Sequence, residues 1–331
     1  MAVLVTGGGG YIGSHMVWAL QEAGEDVVVI DRLSTGFRWA IAPEARFYEG
    51  DIADSALLAQ IFSDNDIDAV IHFAGSIVVP DSVSDPLGYY ENNTVKSRAL
   101  IESVVKAGIP HFVFSSTAAV YGTPDVLEPV TETVQLRPES PYGSSKLMTE
   151  IMLRDAAAAH DLTYTVLRYF NVAGADPKGR SGQSSKTSTH LIKIACAVAL
   201  GKRASMSVFG TDYPTPDGTC VRDYIHVWDL VQAHLKALQR MRAGGGSLVA
   251  NCGYGHGFSV LEVLDTVKRV HGADFSVEFA GRRAGDPAMI VANPALAMQE
   301  LGWTPQYDDL DVIVRDALNW EDRLSRRNAT E

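Results

Sequence analysis

The stretch AVLVTGGGGYIGSHMVWALQEAG, residues 2–24, decides the fold. Residues 2–6 are uncharged and largely β-branched, which suits a parallel strand buried on both faces. The four glycines at 7–10 follow at once. Ile12, Met16, Val17 and Leu20 then keep helical spacing, and Gly24 is a natural helix stop. Gly7, Gly10 and Gly13 form Gly-x-x-Gly-x-x-Gly between strand and helix. The first allows a tight turn and the second lets backbone approach a pyrophosphate. The third lets the helix pack on the strand, while the helix N-terminus faces the anion. A glycine string alone is weak evidence, but this context makes it a dinucleotide-binding loop.

Working outward, VVVID at 27–31 reads as a second strand ending on Asp31. That carboxylate lies at the interval expected for a group that accepts from an adenosine ribose 2′-hydroxyl and repels a 2′-phosphate, favouring NAD over NADP. A turn-forming Asp is the plainer reading, and Arg32 beside it is a group that can receive a phosphate. RFYEGDI at 46–52, a helix around 54–63 and AVIHFAG at 69–75 continue the alternation. They put Asp51 and Ile52 where an adenine would lie and Phe73, Ala74 and Gly75 under the pyrophosphate. A long helix over 87–107 holds Asn92 and Asn93. HFVFSS at 111–116 is a fifth strand, delivering Ser115, Ser116 and Thr117 to the carboxyl edge of the sheet, where ligands bind in open parallel sheets. Thr117 is expected at the mouth with its hydroxyl free, although an exposed loop residue reads the same way.

SPYGSSKL at 140–147 then puts Tyr142 and Lys146 one turn apart on one helix face. A phenol titrates near pH ~10 and is alone a poor base. A close ammonium favours the phenolate, and a second cation favours it further, so the pair suits proton abstraction from an alcohol. Isolated, the same spacing is ordinary surface chemistry. TVLRYFN at 165–171 is a sixth strand, with Tyr169 and Phe170 set to flank a nicotinamide and Asn171 after them. The alternation over 1–171 predicts an α/β doubly wound parallel sheet of Rossmann type.

The chain has 331 residues, 46% of them hydrophobic, which suffices for one large domain or two unequal ones. A formal charge of -12 disfavours nucleic acid and anionic membrane as partners. The N-terminus lacks a signal-peptide pattern, and no apolar run is long enough for a bilayer span. Cys196, Cys220 and Cys252 show neither a disulfide framework nor metal-ligand pairs, so the expectation is a cytoplasmic protein without a metal. GGG at 244–246 reads as a helix-to-strand turn.

These strings, with TGGGGYIG, DxLSTG at 31–36, GDI, HFAG, FSSTAAVYG, PYGSSK and LRYFN in order, resemble the extended short-chain dehydrogenase/reductase family over almost the whole chain. FGTDYPTPDGTCVRDYIHVWDL at 209–230 and RRAGDP at 282–287 resemble its members that epimerise UDP-galactose and UDP-glucose at carbon 4, through a transient 4-keto sugar and with tightly bound NAD. The resemblance implies Tyr142 as base, Lys146 as its electrostatic partner and ribose anchor, and Thr117 in the Ser/Thr hydroxyl position. It adds Tyr11, Ile12, Asn92 and Ser115 to the cofactor residues. For a UDP-sugar it implies Asn171, His190, Leu191 and Phe209, with Arg222 and Arg283 clamping the diphosphate and Asp286 on the uridine ribose. A guanidinium fork suits phosphate oxygens. Without the resemblance, Arg222 reads equally as an ion pair with Asp223 or Asp229. A homodimer is implied too, through helices 87–107 and 141–160.

Four positions depart from the family pattern. Ile77 stands where some members carry a lysine near the cofactor phosphates. His190 replaces an asparagine that in some members binds the uridine diphosphate, a task its backbone can also serve. Ile290, beside Met289, stands where a bulky aromatic excludes N-acetyl sugars or a small residue admits them, leaving N-acetylhexosamine or pentose substrates open. Residues 172–331 are expected to form a smaller mixed α/β UDP-sugar-binding lobe, with segments near 226–256 rejoining the first part. A nucleotide-sugar 4,6-dehydratase needs an acid-base pair after the Ser/Thr, and Ala118 and Ala119 occupy those positions. A silent nucleotide sensor and a net dehydrogenase also suit such a fold, and the Thr117, Tyr142 and Lys146 set argues against the silent one.

Overall fold

The first strand, β1 (Ala2–Thr6), is buried along its whole length. The computed structural model describes residues 1–331 apart from 126, 186–187, 284 and 329–331. Side chains on β1 alternate between two faces. Val3 and Val5 enter one core cluster, while Ala2 and Leu4 enter another. The next strand, β2 (Asp26–Asp31), does the same with Val27 and Val29 against Val28 and Ile30. Burying each such side chain contributes roughly 1.5–3 kcal/mol, and a strand apolar on both sides is stable only between two helical layers.

The further strands are β3 (Arg46–Glu49), β4 (Ile67–His72), β5 (His111–Thr117) and β6 (Thr163–Tyr169). Among the described residues they form a seven-stranded parallel sheet, ordered Leu248–Cys252, β6, β5, β4, β1, β2, β3. The order runs outward in opposite directions from β1 and β4. The crevice therefore opens at their carboxyl ends, where a doubly wound sheet binds its ligand.

The expected helix over 87–107 is not continuous with one geometry. A turn at Pro86–Tyr89 starts it, a π-helical segment follows at Tyr90–Val95, and a regular helix runs over Lys96–Lys106. The side chain of Asp85 caps the start by accepting from the Gly88 amide at 3.0 Å, and Pro86 has no N–H to leave unpaired. The π segment carries Asn92 and Asn93, and such wide turns recur at functional sites. The sixth strand also ends earlier than the apolar run suggests, at Tyr169. Asn171–Ala173 leaves the sheet to pair with Tyr224–His226.

After residue 172 short strands lie at Met206–Phe209 and Leu248–Cys252. The helices lie at Leu191–Ala199, Val227–Arg242, Val260–His271 and Leu310–Asn328. Sequence reasoning missed the Ala295–Leu301 helix, the Phe258–Ser259, Val221–Arg222 and Met289–Ile290 sheet, and the Val277–Ala280 partner of Met206–Phe209. These elements are too short to carry periodicity. Val3, Val5 and Val17 share one core cluster with Leu230, Val263 and Ile313, so both parts are joined by packing. The Val227–Arg242 helix packs against the helix Tyr11–Glu22, and its following strand pairs with β6.

Candidate active site

One cavity of about 1230 Å³ runs along the crevice. Every residue assigned from the sequence to catalysis, cofactor or sugar lines it except Ser115, and Asn93 and Ser116 also lie outside its lining. The side chain of Ser115 turns inward, donating to the Tyr169 hydroxyl at 2.9 Å, and its carbonyl accepts from Lys146. It acts on the wall from behind.

The glycine loop forms one end. Gly7 has a positive φ of 72°, and a Cβ there would sit 2.7 Å from the Ala74 nitrogen. A Cβ on Gly13 would sit 2.1 Å from the Gly7 carbonyl oxygen. Helix Tyr11–Glu22 has no side-chain N-cap and no acidic residue in its first turn, so its leading amides face the cavity open to an anion. Asp31 has a second task the sequence did not suggest. Its carboxylate accepts from the Gly9 amide at 2.8 Å and the Leu33 amide at 2.7 Å, tying both flanking loops together. Two oxygens carry about four acceptor sites, which leaves capacity for a ribose hydroxyl. Arg32 turns to Asp51 at 3.4 Å, and Lys96 also pairs with Asp51. Burial pushes the Asp51 carboxyl up, but Lys96, the Ala53 amide and Arg32 outweigh it and hold the group below its usual range. Arg32 is thereby occupied, and a ribose without a 2′-phosphate fits better beside Asp31. The backbone cradle, open helix end and carboxylate fit a dinucleotide such as NAD.

Midway lie Thr117, Tyr142 and Lys146. Ser140 caps the Pro141–Ala159 helix by accepting from the Gly143 amide at 3.2 Å, with Pro141 in the first turn. A Cβ on Gly143 would meet the Ala119 carbonyl oxygen at 2.5 Å, so only glycine lets the helix start sit against the turn after β5. That contact brings Tyr142 to Thr117. The Thr117 hydroxyl is not free as expected. Its oxygen accepts from the Ala119 amide at 3.1 Å, and the residue is buried. The proton stays available to donate.

The electrostatics show how far the protein alone goes toward a phenolate. Burial pushes the Tyr142 phenol up to about 12, against a downward pull from Thr117, and Tyr89 adds to the rise. Lys146 is not among the groups acting on it. Burial pulls Lys146 itself down to about 8, opposed by Glu150. Its ammonium donates to the Ser115 carbonyl at 3.0 Å and lies 4.9 Å from the Phe114 ring centroid. The protein alone therefore holds a neutral phenol, because desolvation outweighs the hydrogen bond with Thr117.

The far end holds Asn171, His190, Leu191, Phe209, Arg222, Arg283 and Asp286. Arg222 does pair with a carboxylate, but it is Asp286, not Asp223 or Asp229. Asp223 instead accepts from the Tyr254, Gly255 and Ala292 amides, and Asp229 from the Tyr254 hydroxyl. The Arg283 guanidinium lies 3.7 Å from the Phe209 ring centroid. Burial lowers the His190 pKa, and Lys193 adds to this; the Gln183 amide nitrogen lies 3.3 Å from His190 Nδ1. Gln183, Ser184 and Trp320 also line the cavity and were missed. Trp320 donates to the Ser184 hydroxyl at 3.2 Å. Gln183 and Ser184 lie in an aperiodic stretch that gives no signal, and Trp320 reaches them from the Leu310–Asn328 helix more than a hundred positions away.

Comparison with known proteins agrees with this geometry. The UDP-glucose 4-epimerase of Azospirillum brasilense is 56% identical over 324 residues, covering 98% of this chain and 93% of that protein. The crystal structure of UDP-glucose 4-epimerase from Brucella ovis in complex with NAD superposes with a TM-score of 0.94 at 43% identity, covering 97% of this chain and 98% of that one. The UDP-Glc/GlcNAc 4-epimerase from Campylobacter jejuni gives 0.85 at 45% identity, covering 97% and 99%. The model of the NAD dependent epimerase/dehydratase family matches residues 3–253, which include the glycine loop, Thr117, Tyr142 and Lys146, and to that family this chain belongs.

Proposed function

We propose that this protein interconverts UDP-galactose and UDP-glucose at carbon 4 using tightly bound NAD. One observation carries the reading: a single continuous cavity has a dinucleotide cradle at one end, a phenol, hydroxyl and ammonium in the middle, and two arginines with a carboxylate at the other. When bound, NAD supplies a hydride acceptor that gives back what it takes, so no net redox appears. Tyr142 takes the proton of the sugar 4-hydroxyl, directly or through Thr117, and returns it after the 4-keto sugar has turned over. Lys146 stabilises the phenolate and anchors the ribose of the cofactor. Arg222 and Arg283 hold the diphosphate and Asp286 the uridine ribose, which requires the Arg222–Asp286 pair to open. Phe209, Leu191, His190 and Asn171 line the same end and bind the rest of the nucleotide-sugar. On this reading residues 1–171, rejoined by the strand after 226, hold NAD, and the remainder holds the UDP-sugar. Three buried, unpaired cysteines support a reducing compartment, the cytoplasm.

The test is incubation of NAD-loaded protein with UDP-galactose. Appearance of UDP-glucose without accumulating NADH is expected, and a folded, loaded sample that makes none would sink the reading. Accumulating NADH would instead mark a net dehydrogenase.

A broader substrate range is favoured by Ile290. It lines the cavity yet packs with Ala118, Val120 and Tyr121, and it is smaller than an aromatic ring. Turnover of UDP-N-acetylgalactosamine beside UDP-galactose, in wild type and Ile290→Tyr, measures this directly. Leu87, Val95, Met148 and Ile151 are exposed on the two helical segments expected to pair, which supports a homodimer. Sedimentation giving only monomer would remove that part.

A further inference from the structure

We propose that Glu150, held in place by Arg168 and Ser116, is a positioning residue that keeps Lys146 in its charged form beside Tyr142. The inference rests on the epimerase reading for its catalytic consequence.

Glu150 follows Lys146 by one turn on the Pro141–Ala159 helix, on the same face. Lys146, Glu150 and Arg168 are each at most 6% exposed. Arg168 Nη2 donates to Glu150 Oε2 at 2.6 Å, and Nε reaches the two carboxylate oxygens at 3.1 and 3.2 Å. The Ser116 hydroxyl donates to Oε1. Ser116 follows Ser115, whose carbonyl accepts from the Lys146 ammonium. Ser116 and Arg168 are register partners across β5 and β6. Arg168 Nη1 is fixed in turn by the Tyr121 hydroxyl at 3.0 Å, which donates to Asn251 at 2.7 Å. Two strands thus hold one carboxylate rigidly behind the ammonium.

The pair is poorly explained as a stabilising device, since a buried ion pair is often no better than apolar residues of equal volume. It does matter to a buried ammonium, which loses its proton readily when desolvated. The other titratable groups around Lys146 give it no negative charge. His72 on β4 is neutral, held down to about 3 by burial and Lys146. Tyr142, Tyr169 and Tyr164 are all held protonated by burial. Tyr89, packed across from Tyr142, is raised as well. Glu150 is the carboxylate that acts on Lys146.

The test compares wild type with Glu150→Gln and with the double variant Glu150→Leu/Arg168→Met, which does not leave the Arg168 guanidinium buried without its carboxylate. Lysine labelled with carbon-13 at Cε, assigned through Lys146→Arg, reports the charge of Lys146 in NAD-loaded protein without any need for turnover. The midpoint is expected to fall by about 1 pH unit or more in Glu150→Gln and in the same direction in the double variant. The kcat ratio to wild type should then drop roughly five-fold near pH 8 and stay close to one near pH 6, with KM unchanged. An unmoved midpoint, or a kcat loss equal at both pH values, overturns the proposal, as does failure of both variants to fold. Absence of epimerisation by wild type would fall on the proposed function, while the resonance would still judge Glu150.

Discussion

Removing the cofactor is expected to silence Tyr142 as a base, and the structure sets the size of the effect. Burial holds its phenol up at about 12 in the protein alone. To be half ionised near pH ~7.5 it must fall by about 4.5 units, or roughly 6 kcal/mol at ~1.36 kcal/mol per unit. A unit cation ~5 Å away in an effective dielectric near 20 supplies about 3.3 kcal/mol. One cation is therefore too few and two suffice. Lys146 is one: in the protein alone it does not act on the phenol, because its own proton is held only to about pH 8, below the phenol's, and it counts only once the phenolate forms at lower pH; the oxidised nicotinamide ring is the other. The assay is tyrosinate difference absorbance, wild type minus Tyr142→Phe, with and without NAD. No Tyr142 titration is expected below pH ~10 in the stripped protein, and a midpoint of about 7–8 when loaded. Lys146→Met in the loaded protein should raise that midpoint by about 2 units. Equal midpoints with and without NAD, or a Lys146→Met midpoint identical to wild type, would refute the two-cation reasoning.

Three further outcomes are accessible. Gly13→Ala drives a Cβ to 2.1 Å from the Gly7 carbonyl oxygen, whereas Gly24→Ala meets nothing within 4 Å and carries only the strain of its φ of 80°. Denaturant titration should cost Gly13→Ala about 1–3 kcal/mol and release its NAD, against ~1 kcal/mol with NAD retained for Gly24→Ala; the reverse order would discredit the packing. Arg222→Leu should raise the KM for the UDP-sugar roughly 10- to 100-fold with little change in kcat, since it removes charge-assisted hydrogen bonds made in ground and transition states alike; an unaltered KM would leave Arg222 merely paired with Asp286. Stability should fall with acid. Burial holds His15, His72 and His234 down to about 4, 3 and 4, while Asp223 is raised to about 6. Between pH ~4.5 and ~6 the unfolded chain binds three protons that the folded histidines refuse, and the folded Asp223 binds one that the unfolded chain lacks. The net of these four groups is two, so they lower the unfolding free energy by about 2.7 kcal/mol per pH unit as pH falls through that window, and His111 and His190, also held down by burial, act in the same direction; urea midpoints level from pH 7 to 5 would contradict it.

The loop glycines at 7, 10 and 13, the apolar strands and the turn between Tyr142 and Lys146 are legible in the sequence because each depends on neighbours a few residues apart. Backbone geometry alone translates such spacings into a turn, a buried strand or a shared helix face. The π-helical segment at Tyr90–Val95 and the early end of β6 at Tyr169 are less legible, since distant packing and a new strand partner override local preference. Only the tertiary structure decides that Asp31 locks two loops, that Arg222 meets Asp286 across 64 positions, and that Arg168 stands behind Lys146 through Glu150. It also decides that the phenol is neutral. Charge state follows from how much water the whole fold removes around a group, and that depends on sheet order and loop closure rather than on adjacent residues.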